Sequence, residues 1–273
     1  MKKLLIPILG LMITLSSCEM LENSTGLSDA DIIDGLKTAL NVGADSASGN
    51  LAKLNGYYSN PLVKIPLPAE AEAVRNLINS NSALSTISST IGLDGKFEDV
   101  IKTVNRAAES AASEAAPIFK DAITNLSITD GLSILQGTVP DGSATKSGGF
   151  DSTAATQFLK LQTYAKLTAL YAPKINTALG QDMIGNVSAV EAWQSLTSTY
   201  NTFVGSYAFA IQLAGVNLPS SINSDLGAFC TQKALDGLFY KVGIEEKKIR
   251  KNPLEWATTA VGDILGKVFG SVN

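Results

Sequence analysis

Two short stretches place an acid one helical turn from an arginine. In "NRAAE" Arg106 precedes Glu109 by three residues, with Asn105 alongside; in "EEKKIR" Glu246 precedes Arg250 by four, with Glu245 alongside. On a helix these spacings bring the two side chains together. A carboxylate held in this way is half of a structural ion pair or, where it lines a cleft, a proton acceptor fit for catalysis. Projected at about 100° per residue, Leu235, Leu238, Phe239, Val242 and Ile249 form one stripe with Glu246 near its centre, while Glu245 lies to one side. A lone charge there is costly to bury. Glu246 is therefore expected to have a cationic partner, either Arg250 along its own helix or Arg106 from another. Asn105, Arg106 and Glu109 point away from the Val100/Val104/Ala108 face and are expected to be solvated or to form a second, polar contact surface.

Other chemistries are thinned by what the composition lacks. The chain has no histidine, which removes His-dependent triads and histidine-built zinc sites. Carboxylate-only or lysine-based chemistry stays open, and no metal or cofactor is expected. "SATK", Ser143–Lys146, matches a Ser-x-x-Lys pattern, but it sits in a Gly-rich loop without the buried helix and sheet that such a nucleophile needs. In "DADIIDG" the acids fall at positions 1, 3 and 6, whereas a calcium loop needs 1, 3, 5 and a glycine at 6. No glycine-rich segment carries the Gly-Lys-Ser/Thr ending of a phosphate loop.

The N-terminus supplies a different chemistry. Lys2 and Lys3 precede an apolar run from Leu4 to Leu15 that contains Pro7 and Gly10. That run is shorter than the roughly 20 residues a spanning helix needs and has the length of a signal-peptide core. It ends in Leu15-Ser16-Ser17-Cys18, a bacterial lipobox: an apolar residue, two small ones, then the thiol that takes a diacylglycerol thioether. Residues 1–17 are expected to be a signal peptide, 18–27 a lipidated tether, and 28–270 a helical domain anchored by acyl chains rather than by a span. Losing Lys2 and Lys3 would take the net charge from −4 to −6, a balance that does not favour nucleic acid. With Cys18 acylated, Cys230 has no intramolecular partner and is expected to be a buried small apolar residue.

The elements that position these residues read as helices throughout. Ser28/Asp31, Ser127/Asp130 and Ser188/Glu191 have capping-box spacing. Ile32, Leu36, Leu40, Ala44 and Ala47 recur about every four residues. "SNPLVKIPLP", with three prolines, is an extended connector, and a helix restarts after Pro68. Residues 97–126 form an alanine-rich helix kinked or restarted at Pro117, and a later helix breaks at Pro173. The Gly/Ser-rich stretch 138–150 is a surface loop. Asn252 caps the last helix, with Pro253 at its first position and Gly270 just past its end. No run alternates as a strand would. The expectation is an all-α, single multi-helix domain, in one lobe or in two lobes either side of 137–151.

"NPLVKIPLP", "NRAAESA", "PIFKDAI", "ALDGLF", "EEKKIRKNP" and "KVFG", in that order, resemble a bacterial family known as domain of unknown function 4197 over about 28–270. The resemblance implies a mostly helical, envelope-located and often lipid-anchored domain, with no activity to transfer. The stretch between "ILQG" and "AATQF" is longer than the family's usual connector, and Trp256 stands where a basic residue is expected. Three functions follow as expectations. The first is a membrane-anchored envelope lipoprotein, a non-enzymatic helical scaffold or binding module whose body faces the periplasm. The second is a carrier of an apolar ligand between helices. The third is a carboxylate-based enzyme using Glu246 or Glu109. The expected partners are the membrane, through the anchor, and an envelope protein or apolar ligand.

Overall fold

Ser28 and Asp31 close a reciprocal cap, the Ser28 hydroxyl accepting the Asp31 N–H at 3.1 Å and the Asp31 carboxylate accepting the Ser28 N–H at 3.2 Å. From that cap runs the first helix of a computed structural model that describes residues 26–139, 150–256 and 260–270. Lys267 also reaches Asp31 at 2.8 Å, and this contact first, then Ser28, draws the Asp31 carboxyl down to about 2. Helix α1 spans Asp29–Leu51, and its expected stripe of Ile32, Leu36, Leu40, Ala44 and Ala47 is buried throughout. Residues 52–68 form turns and extended chain carrying Pro61, Pro66 and Pro68. Next come α2 (Ala69–Asn79) and α3 (Ser82–Thr90), the latter capped by Asn81.

The alanine-rich stretch makes two helices, α4 (Leu93–Ala112) and α5 (Ala115–Thr124). The break falls at Ser113–Glu114, and Pro117 is the third residue of α5, where its missing N–H would have had no intrahelical partner. Helix α6 (Gly131–Leu135) starts later than its expected box: Asp130 itself is the cap, accepting the Ser133 N–H at 3.2 Å. Helix α7 (Ala154–Leu179) runs straight through Pro173, against the expected break. Leu167, Tyr171, Ile175 and Ala178 are buried on one face on both sides of that proline, and their packing outweighs one lost backbone bond.

A small hairpin, absent from the sequence reading, joins β1 (Asp182–Ile184) to β2 (Val187–Ser188). Its turn is Gly185-Asn186, both with positive φ (59° and 61°), as a two-residue hairpin turn requires. Helix α8 (Ala189–Ser206) opens at the expected Ser188/Glu191 box, followed by α9 (Ala208–Leu213) and α10 (Leu226–Lys251), capped by Asp225. Asn252 and Pro253 do not open the last helix. They lead into a 3-10 turn, Pro253–Trp256, ahead of α11 (Ala260–Phe269).

The fold is all-α apart from the hairpin. Helix α1 packs on α10, α5 and α11, while α4 packs on α7 and α8. Side chains from both sides of 137–151 share one buried cluster, so a single core replaces the two-lobe alternative. Gly35 lets α1 approach α11 closely: a Cβ there would lie 2.6 Å from the Val268 side chain. No helix among the described residues is long and apolar enough to cross a membrane. Cys18, the "SATK" pattern and most of the 138–150 loop lie outside the described residues.

Cys230 is fully buried in α10, and burial, then Asp225, pushes its thiol up to about 12. A thiol so placed is shielded and scarcely ionised. In folded protein bearing Cys18→Ser, Cys230 should not react with a disulfide reagent at pH 8 until denaturant is added. Stoichiometric reaction within seconds in buffer would show that this face of α10 is open.

Candidate functional site

Among the described residues, the six polar residues of the sequence reading fall into separate sets. The first set holds the proline-rich connector. On α4, Glu109 is 4% exposed, and its carboxylate accepts the backbone N–H groups of Asn55, Tyr57 and Tyr58 at 3.1, 3.2 and 3.0 Å. Arg106 completes the cradle, donating to Glu109 at 2.5 Å and to the Asn55 side chain at 2.8 Å. One turn earlier, the fully buried Asn105 treats Ile65 as a strand neighbour would. It accepts the Ile65 N–H at 2.9 Å and donates to the Ile65 carbonyl at 2.8 Å. Asn105 and Glu109 are therefore not solvated, while Arg106 keeps part of its side chain in water. They are the contact surface on which residues 55–65 are laid.

Tyr57 extends this anchorage to α10. Its hydroxyl donates to the Ala234 carbonyl at 2.8 Å, and its ring lies against Gly237, where a Cβ would come within 2.8 Å of it. Burial first, then Tyr171 and Glu109, raise the Tyr57 phenol well above its ordinary range. It is a neutral hydrogen-bond donor rather than a proton source.

The second set joins three helix ends. Glu246 on α10, 1% exposed, accepts the Ala155 N–H at 3.0 Å, the Thr156 N–H at 2.8 Å and the Thr156 hydroxyl at 2.6 Å. Thr153, at the start of α7, makes no side-chain cap. Glu246 thus caps α7 from another helix and meets the positive end of its dipole. Its partner is Arg250, whose Nε donates to the carboxylate at 2.9 Å. The other end of that guanidinium donates to the carbonyls of Leu135 and Ile134 at 2.7 and 3.0 Å, closing the C-terminus of α6. The guanidinium carbon lies 5.5 and 5.2 Å from the Phe150 and Phe269 ring centroids. Beside it, the Asp151 N–H donates to the Gly137 carbonyl at 2.8 Å, so the ends of the 138–150 stretch are tied to each other. Glu245 stands apart; it is 5% exposed and paired with Lys248 at 2.8 Å.

Chemically, the two carboxylates that looked most suited to proton transfer are occupied. Each oxygen of Glu109 and of Glu246 already accepts from the protein, and Arg106 and Arg250 are fixed in turn. No group of three or more ligating side chains among the described residues could hold a metal ion.

A surface cleft of about 450 Å³ that the sequence reading missed lies between α4, the β1–β2 hairpin and α8. Lys96 and Lys102 from α4, Ile184 and Val187 from the hairpin and Glu191 and Ser195 from α8 line it. Its signal in the sequence was the Gly-Asn pair between two apolar residues, the mark of a tight hairpin. The cleft shares no residue with either carboxylate set, and its mixed lining suits a ligand with polar and apolar parts rather than a wholly apolar one.

A family model described as "Protein of unknown function (DUF4197)" matches residues 26–270. No curated protein and no solved structure matches the chain.

Proposed function

The chain belongs to the DUF4197 family of proteins of unknown function, and on that premise we propose that it is a membrane-anchored envelope lipoprotein whose helical body is a non-enzymatic scaffold or binding module. One observation carries the non-enzymatic part: Glu109 and Glu246 spend their hydrogen-bonding capacity on backbone N–H groups and on their own arginines. A catalytic acid or base needs an oxygen turned to substrate. The anchor rests on the Leu15-Ser16-Ser17-Cys18 lipobox behind a short apolar core. The carrier reading draws less support, because the cleft of about 450 Å³ is lined partly by charge.

Two measurements test this reading. Exported behind a non-lipoprotein leader with Cys18→Ser, the chain should be recovered in the soluble fraction, whereas the native protein should need detergent. If the variant stays with membranes through a carbonate wash, the lipid is not the anchor. Native mass spectrometry with lipid extraction, on protein from its own membrane, should give the acylated chain alone or with a polypeptide partner. A stoichiometric apolar small molecule would favour the carrier instead.

A further inference from the structure

The C-terminal half of α10 gathers positive charge on its outer side. Projected at about 100° per residue, Tyr240, Lys241, Ile244, Lys247, Lys248 and Lys251 fall within an arc of about 120°. Val242, which meets α1 at Gly43, and Glu246, which caps α7, lie outside that arc. Tyr240 is 40% exposed; Lys247, Lys248 and Lys251 are exposed, and Lys241 and Ile244 half-buried. Among the described residues Lys248 pairs with Glu245, while Lys241, Lys247 and Lys251 have no carboxylate within ion-pair distance.

A cleft of about 270 Å³ between α10 and α7 opens on the same side, large enough to admit a phosphate group. Lys160 and Gln157 of α7 and Tyr240, Ile244 and Lys247 of α10 line it. Helix α7 carries no acid. Of the acids on α10 nearby, Asp236 is bound to Lys160, and Glu245 and Glu246 are buried. The other acids at this end, Glu255, Asp263 and the aspartates 29, 31 and 34 of α1, belong to other elements and lie off the arc.

The place of this face in the fold matters as much as its charge. Gly43 of α1 meets Val242, and Tyr57, six residues past the end of α1, meets Gly237 and Ala234. The two helices are therefore antiparallel, and the last turns of α10 lie at the end where α1 begins. Ten residues, 18–27, separate Cys18 from Ser28. Fully extended they reach about 33–36 Å, against roughly 17 Å for the length of α10 from Tyr240 to Lys251.

We propose that this α10–α7 face docks on a bilayer of anionic phospholipid, with a lipid phosphate entering the cleft beside Lys160 and Lys247. Lysines interspersed with an exposed tyrosine and an isoleucine suit the headgroup layer. The chain between Cys18 and α1 holds Glu19 and Glu22 and no basic residue. An anionic surface repels that edge and the start of α1 while it attracts the lysines, so the two signs set which side of the body turns to the membrane. A nucleic acid would have to approach the net negative charge of the whole chain, whereas a tether keeps a bilayer at high effective concentration. The proposal deepens the membrane-anchored reading and rests on it for the nearness of the bilayer, not for the affinity of the face.

The Cys18→Ser chain, exported behind a non-lipoprotein leader, tests the face without the anchor. At low ionic strength it should sediment with vesicles of phosphatidylcholine mixed with phosphatidylglycerol, and not with phosphatidylcholine alone. Molar salt should release it. At physiological salt this attraction alone is weak, so the unacylated chain still leaves membranes in cell fractionation. Lys241→Gln, Lys247→Gln and Lys251→Gln together should weaken vesicle binding at least tenfold, since each lysine beside an anionic surface is worth about fivefold. The melting temperature should stay within a degree or two. Lys53→Gln, Lys96→Gln and Lys102→Gln, which remove the same charge elsewhere, should leave binding nearly unchanged. No binding to the mixed vesicles, or an equal loss from the two triple variants, overturns the proposal. So does equally tight, lysine-dependent binding to an oligonucleotide, which would assign the face to a linear polyanion. If the native chain proves to carry no lipid, the anchored reading falls, while vesicle binding by the soluble chain still decides this one.

Discussion

Glu246→Ala lowers the unfolding free energy by about 3–5 kcal/mol, the range for removing one partner of a buried ion pair. Glu246 and Arg250 are 1% and 5% exposed. In a domain of this size each kcal/mol moves the melting temperature by about 2–4 °C, so the variant should melt roughly 10 °C lower. The loss has two sources. The N–H groups of Ala155 and Thr156 lose their acceptor at the start of α7, and Arg250 keeps a buried charge. Arg250→Ala should cost a similar amount, because it strands Glu246 and opens the Ile134 and Leu135 carbonyls. The double variant should be less damaging than the sum of the two, and urea denaturation of all four proteins measures the coupling. Glu246→Gln is not a gentle substitute: its NH2 group would face donors whichever way the amide turns. It should lose at least half of what alanine loses. Unchanged stability in both single variants would mean that the three helix ends are held by something else.

Glu109→Ala removes the shared acceptor of three backbone N–H groups and leaves Arg106 without its carboxylate. Hydrogen bonds to a charged group are worth about 1.5–3 kcal/mol each where they are buried. They are not additive here, and Arg106 is 21% exposed, so a total of about 3 kcal/mol is expected. The more specific outcome is local. Amide hydrogen exchange at Tyr57, Tyr58 and Asn55 should accelerate well beyond the global change, since the connector is laid on α4 chiefly by this carboxylate and by Asn105. Asn105→Ala should shift the opening to Ile65, whose N–H and carbonyl both lose their partner. If the global and local rates move together in both variants, the connector and the core open as one unit.

The contrast between these carboxylates shows where a sequence is legible. Glu246 could be placed because periodicity reports the angle of a residue on its own helix, and the i+4 arginine follows from the same geometry. What the angle could not report was the far side of the contact. Ala155 and Thr156 lie about ninety residues away, and nothing local to them announces a cap supplied by another helix. Asn105 and Glu109 were read as outward for that reason: their face is buried by an irregular segment, which leaves no periodic signature. The caps at Ser28 and Ser188 were legible because a cap is made by neighbours in sequence. Pro173 was misread in the opposite sense, a strong local signal overridden by packing around Tyr171 and Ile175. The hairpin was missed although its Gly185-Asn186 turn was in view, because strands of three and two residues are too short to alternate visibly.

The tie between Gly137 and Asp151, backed by the α10 residues Arg250, which bonds the end of α6, and Glu246, which caps α7, has a practical consequence. Among the described residues, the Asp151–Gly137 bond, the Arg250 bonds to the Ile134 and Leu135 carbonyls and the Glu246 cap hold the two flanks of the intervening stretch. Where two ends of a chain are already held together, each doubling of the length between them adds only about 0.6 kcal/mol of closure entropy. An epitope tag or a small reporter domain spliced between residues 142 and 147 should therefore leave the helical body intact. This makes it the natural place to put a handle for locating the protein in a living cell.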